Sequence, residues 1–310
     1  MDPYFNADFF SWFVVLLSRL PSICCGAELF ADEVQLLVMG FFALGASFVG
    51  VFLVLKKLVM MANAISHTML LSIALAFVAF SGAPPEIAVV LSCLAVALLT
   101  GALIPELSRA ASIREDASNA LVFSSLFALG VVILSVWSRN ADIGPELLMG
   151  NPDALLSRDI PFVAVVSIAS VALGLLLARG FALSIFDPTF AHVVGFSPHW
   201  FERMLLAQVA LTTVSAFRAV GFVMTLSFFT FPALVASRLS KSLSGQLLLA
   251  PLVGLVAVIF SLALSRHLFS VCSLAVSTGA LASSLLALFY IVILARGCVC
   301  GRALGVSRVL

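Results

Sequence analysis

Long apolar runs, separated by short charged, proline or glycine breaks, dominate the pattern of this chain. Charge-free runs occur at Val34–Leu55, Leu58–Pro85, Ile87–Pro105, Ala117–Ser138, Ile160–Ala178, Ala219–Ser237, Ser242–Ser265 and His267–Ala295. A helix of about 20 apolar residues spans the ~30 Å hydrocarbon layer of a bilayer, so each run predicts a transmembrane helix. Two further stretches are marginal: Phe9–Cys25 carries Arg19, and Met204–Phe217 is short before Arg218. Eight to ten membrane helices are therefore expected. Only helices and closed barrels satisfy their backbone groups in lipid, and the short alternating runs of a barrel are missing here. The pattern predicts an all-α polytopic membrane protein.

Composition agrees. Of 310 residues, 63% are hydrophobic and 10% charged, against roughly 25% charged in soluble domains. The formal net charge of +1 provides no field for nucleic acid. Six cysteines make no disulfide framework at this length. Cys298 and Cys300 could offer two thiolates, an incomplete metal site on their own. Asp2 and Asp8 stand where a secretory signal has its basic segment.

Lysine and arginine placement predicts orientation. With ten spans and both termini cytoplasmic, Lys56, Lys57, Arg109, Arg114, Arg179, Arg203, Arg238, Lys241, Arg296, Arg302 and Arg308 fall inside. Arg19, Arg139, Arg158, Arg218 and Arg266 fall outside, where Gly82–Glu86 forms a tight turn and Arg139–Asp159 a longer loop.

Polar residues within apolar runs carry the candidate chemistry. Asn63, Ser66 and His67 stand at i, i+3 and i+4 of the third span, so they project from one side of a helix. Lipid cannot satisfy such a stripe, which must face the bundle interior or a water-filled path. Imidazole suits first-row transition metals and an amide oxygen can add a harder donor; an interhelical hydrogen-bond cluster is the alternative. In the Arg109–Asn119 loop, the densest charge cluster, Asp116 is expected to cap the following helix; the segment reads as a solvated loop or a docking surface. Asp187-Pro188 starts another helix, with aspartate at the N-cap and proline at the first position, and Gly195 stops it after about two turns. Held between membrane helices, it suits pressing on a soluble partner. Gly40, Gly45 and Gly50 predict close helix packing, and Pro232 a kink or break.

No phosphate loop or hydrolase motif occurs. The apolar runs contain no carboxylate, the group that a proton- or sodium-coupled carrier needs at mid-membrane. Energy is therefore expected to enter through another subunit, and no enzymatic activity of the chain's own is expected.

From about Val34 to the last span, the chain resembles the ABC-3 class of metal-ion permeases. Gly50-Val51-Phe52-Leu53-Val54-Leu55-Lys56-Lys57 leads into Asn63-Ala64-Ile65-Ser66-His67, similar to a family signature that typically reads Asp-Ala-x-Ser-His. Arg114-Glu115-Asp116, Phe127-Ala128-Leu129-Gly130, Gly150-Asn151, Phe186-Asp187-Pro188 with Phe190-Ala191, Gly221 and Phe231-Pro232-Ala233 follow in family order. The resemblance implies a type II ABC-importer-like bundle in the bacterial inner membrane. It implies a second permease (the same chain or another), cytoplasmic ATP-binding subunits and an external metal-binding protein. The cargo would be divalent manganese, zinc or iron, with no stably bound cofactor. His67, Asn63 and Ser66 then map to the metal pathway, and Asp187, Pro188, Phe190, Ala191 and Gly195 to ATPase coupling. Two positions depart: Asn63 stands where the family has aspartate, and Leu71-Ser72 where it has Pro-Gly. A permease for an iron chelate or corrinoid, and a stand-alone secondary transporter, are the alternative readings. The expected division is an N-terminal segment 1–33 (an extra membrane or interfacial helix), a permease domain 34–296 and a cytoplasmic tail 297–310.

Overall fold

A computed structural model describes residues 9–24, 29–80, 85–137, 155–220, 222–272, 274 and 276–303. The predicted turn at Gly82–Glu86, most of the 139–159 loop, Gly150-Asn151 and Gly221 lie wholly or largely outside these residues, as do the side chains of Cys298 and Cys300. The described elements are helices: α1 (Phe9–Cys24), α2 (Ala31–Lys56), α3 (Val59–Phe80), α4 (Glu86–Ala111), α5 (Glu115–Trp137) and α6 (Asp159–Leu176). After these come α7 (Ala178–Phe186), α8 (Pro188–Val193), α9 (Pro198–Val220), α10 (Phe222–Leu239), α11 (Leu243–Cys272) and α12 (Thr278–Ala303). Among the described residues, seven helices, α2 to α6, α11 and α12, are long and apolar enough to cross a membrane.

The other long elements explain the marginal runs. Helix α9 runs from Pro198 to Val220, past both ends of the apolar stretch at 204–217, and its inner side carries buried Gln208, Thr212, Thr213 and Ser215. Thr212 and Thr213 satisfy their hydroxyls on carbonyls one turn back, at Gln208 and Val209. Such a helix is buried by its neighbours rather than by hydropathy. The break expected at Arg266 is absent: α11 continues through it to Cys272, because the guanidinium meets a carboxylate there. Helix α10 likewise continues through Pro232.

Helix α2 is the hub. It packs on α6, α9, α10 and α11, and its residues are mostly buried from Asp32 to Leu53. At 26 residues it is about 39 Å long, so its ends lie on opposite sides of the bundle. At its start Glu33 accepts from the Phe30 N–H at 3.0 Å and pairs with Arg19 of α1 at 2.7 Å. Asp32 is gripped by two N–H groups of Arg266 and accepts from the Trp12 indole at 3.3 Å. Both carboxylates also sit at a helix N-terminus, where negative charge is favoured. At the other end, Lys57 adopts a left-handed conformation (φ 61°) and the Leu58 N–H returns to the Leu53 carbonyl, closing α2 before α3 begins.

Helix α3 is wedged between α4 and α5. Thr100 donates to Thr68 at 3.1 Å, and Ser72 and Cys93 share a bond at 2.8 Å, both across the α3–α4 seam. On the α5 side, a Cβ at Gly130 would stand 2.8 Å from the Leu71 nitrogen, so glycine lets the two backbones touch. Outward-facing Leu91, Leu98, Val132, Val165 and Ile291 are exposed, as lipid contact requires.

Candidate functional site

The polar stripe of α3 divides in two. Ser66 is 1% exposed and donates to the Ala62 carbonyl at 2.9 Å, within its own helix. Asn63 and His67, one turn apart, are half-buried. Successive residues turn by about 100°, which places Asn63 and His67 about 40° apart and Ser66 on the inner flank. The structure thus aligns two of the three predicted pathway residues and engages the third with backbone.

The His67 ring rests against Phe123 of α5, centroids 4.9 Å apart, and edge-on to Phe127 at 6.1 Å. Two aromatic side chains a helical turn apart therefore fix the imidazole plane. The same side of α5 carries Asn119, 8% exposed, whose Oδ1 has no hydrogen-bond partner. Sequence reading singled out Phe127 within a motif but missed Phe123 and Asn119. Their i, i+4, i+8 spacing on α5 was the available signal. Among the described residues, no group of three or more His, Cys, Asp or Glu side chains could hold a metal ion.

Helix α8 has the predicted geometry. Asp187 accepts from the Phe190 N–H at 2.9 Å and the Thr189 hydroxyl at 2.6 Å. Pro188 takes the first position, and Gly195 turns the chain out at φ 92°, a conformation glycine accepts at no steric cost. The Phe190 N–H first, then the Thr189 hydroxyl, hold the Asp187 carboxyl below its ordinary range. Ala191 is fully buried, whereas Phe190, Val193 and Trp200 are at least half exposed. A capped helix thus presents an exposed apolar face. Asp116 is no N-cap. It lies in the first turn of α5, after Arg114, whose carbonyl receives the first helical bonds.

The chain as a whole is similar to known proteins. The pattern of the family described as the ABC 3 transport family matches residues 33–297. A Chlamydia muridarum protein named "Probable metal transport system membrane protein" is 34% identical over 295 residues, covering 94% of this chain and 93% of that one. The "Manganese transport system membrane protein MntD" of Bacillus subtilis is 33% identical over 66% of this chain and 74% of its own. Among solved structures, PsaBC from Streptococcus pneumoniae in complex with Fab superposes with a TM-score of 0.76 at 21% identity, covering 91% of this chain and 95% of that one.

Proposed function

Since the chain belongs to the ABC-3 transport family, we propose that it is the membrane permease of an ATP-driven importer carrying a divalent manganese, iron or zinc ion across a bacterial inner membrane. The observation that carries the pathway assignment is the half-buried pair Asn63–His67 on α3. A polar stripe open on the side of a membrane helix needs protein or water over it. A second permease covers it in this reading. One chain offers one imidazole and one amide oxygen, and two facing copies would offer four donors, the number a tetrahedral ion takes. A heterodimer would instead bring a partner carboxylate to the position opposite Asn63. A site of neutral ligands releases its cargo readily, as conduction requires.

Cytoplasmic ATP-binding subunits seat against α8 in this reading, with Asp187, Pro188 and Gly195 shaping the helix and Phe190 in contact, while Ala191 anchors it from below. An external binding protein delivers the ion to the opposite end. The chain is a transport subunit, and the metal is cargo rather than a resident cofactor. Residues 34–296 form the permease domain, and the C-terminal tail lies in the cytoplasm.

The test is His67→Ala in cells expressing the complete transporter, read as uptake of radiolabelled manganese, iron and zinc at matched expression. Uptake of the physiological ion falls by about ten-fold or more. Unchanged uptake would return Asn63 and His67 to a packing role. Asn63→Asp restores the family's charge and shifts ion selectivity.

A further inference from the structure

The docking helix is connected to the pathway helix by a continuous set of contacts through the basic end of α2. Phe196, just after α8, donates its N–H to the Ala191 carbonyl at 2.8 Å and packs its ring on Phe201 of α9, centroids 5.6 Å apart. Phe201 meets Phe181 of α7 at 5.5 Å, and Phe181 meets Phe52 of α2 at 5.0 Å. Phe52, Phe181 and Phe201 are all at most 4% exposed. Gly180 makes room for this stack: a Cβ there would lie 2.3 Å from the Phe201 ring. One residue along α9, Glu202 accepts from Lys56 Nζ at 3.0 Å, with side chains 28% and 17% exposed. Lys56 is the last residue of α2, and only Lys57 and Leu58 separate it from α3.

We infer that Lys56 is a positioning residue that, paired with Glu202, transmits displacement of α8 and the start of α9 to the α2–α3 turn and so to Asn63 and His67. This rests on the docking reading of α8. Asn63 lies about one helical turn into α3, which starts at Val59 only two residues after Lys57, so a shift of the turn moves the pathway pair with little slack. The aromatic stack keeps α7, α9 and α2 in register, because packed interiors transmit displacement instead of absorbing it. The ion pair is the directional element: it joins the charged start of α9 to the one residue of α2 that abuts the turn. A single, partly buried contact that water still reaches costs less to remove than a fully buried pair, so its removal should change coupling more than folding.

The experiment uses the complete transporter in proteoliposomes, with metal transported per ATP hydrolysed as the readout. Lys56→Gln and Glu202→Gln each lower that ratio by about five-fold, while the unfolding temperature falls by no more than a few degrees and the amount of ATP-binding subunit retained stays at the unsubstituted level. The exchange Lys56→Glu with Glu202→Lys recovers at least half of the ratio. Overturning results are an unchanged ratio in both single variants, a loss that merely tracks the amount of assembled complex, or an exchange no better than the singles. The docking reading fails separately: Phe190→Ala with Val193→Ala would leave retention of the ATP-binding subunit unchanged.

Discussion

Both ends of α2 are held by ion pairs, yet the two ends are built differently. At the first, Asp32 and Glu33 are each 1% exposed and meet Arg266 and Arg19, with the Trp12 indole and the Phe30 N–H as further donors. At the second, Lys56 and Glu202 form a single contact, and the carboxylate there is 28% exposed rather than 1%. A buried carboxylate needs its full set of partners, because its desolvation is recovered only by charge and hydrogen bonds together. That requirement makes the first end a rigid joint between α1, α2 and α11. The second end can break and reform at small cost, which suits a part that moves. The physical difference lies in solvation rather than in the kind of bond.

The largest expected effect tests the rigid joint. Asp32→Ala leaves Arg266 and Trp12 without their acceptor and should destabilise the protein by about 3 kcal/mol, the scale for breaking a buried pair. Thermal unfolding in detergent measures it. A loss below about 1 kcal/mol would erase the distinction between the two ends. Trp12→Phe keeps one aromatic ring but removes the indole N–H donor to a carboxylate and leaves a void at a fully buried position, so it should cost at least about 1.5 kcal/mol. In both variants the metal transported per ATP should be unchanged in whatever transporter still assembles. A changed ratio would move the first end into the coupling path as well. At the second end, Lys56→Gln should cost no more than about 1 kcal/mol of stability. A larger loss in the same unfolding assay would make that end a structural joint too.

How much of this could be read from the sequence follows from the range of each interaction. Spans are local: an apolar run of sufficient length declares a membrane helix, and α2, α3, α5 and α6 follow their runs, while α4 continues through Pro105 to Ala111. The cap at Asp187, the proline after it and the turn at Gly195 are also local, so α8 was legible within a residue or two. The pairings were not. Arg266 meets Asp32 across 234 residues and Lys56 meets Glu202 across 146, and no pattern along one chain couples such positions. For the same reason Arg19 made α1 look marginal and Arg266 looked like a helix boundary; each charge is neutralised by a partner far away in sequence. Asp116 looked like a cap because aspartate favours that position, but Arg114 carbonyl geometry starts α5 one residue before it. At the candidate site the stripe Asn63–Ser66–His67 was visible by spacing. That Ser66 would bond to its own helix, and that Phe123 would brace the imidazole, depends on how α3 meets α5.

The smallest expected effect separates the docking face from the pair above it. The folded state holds the Asp187 carboxyl below its ordinary range. Its capping contribution is therefore complete above the unfolded carboxylate value of about 4 and is lost only as pH falls through the lowered folded value. In detergent-solubilised protein the Phe190 amide resonance should titrate with a midpoint below that range. Asp187→Asn keeps an oxygen acceptor at the cap and should abolish the titration while retaining the ATP-binding subunit at neutral pH. Asp187→Ala removes the acceptor and should weaken that retention a few-fold, without lowering metal per ATP in complexes that do form. If Asp187→Ala lowered metal per ATP as Lys56→Gln is expected to, the cap and the ion pair would act as one device. Docking strength and transmission would then not be separable at this end of the molecule.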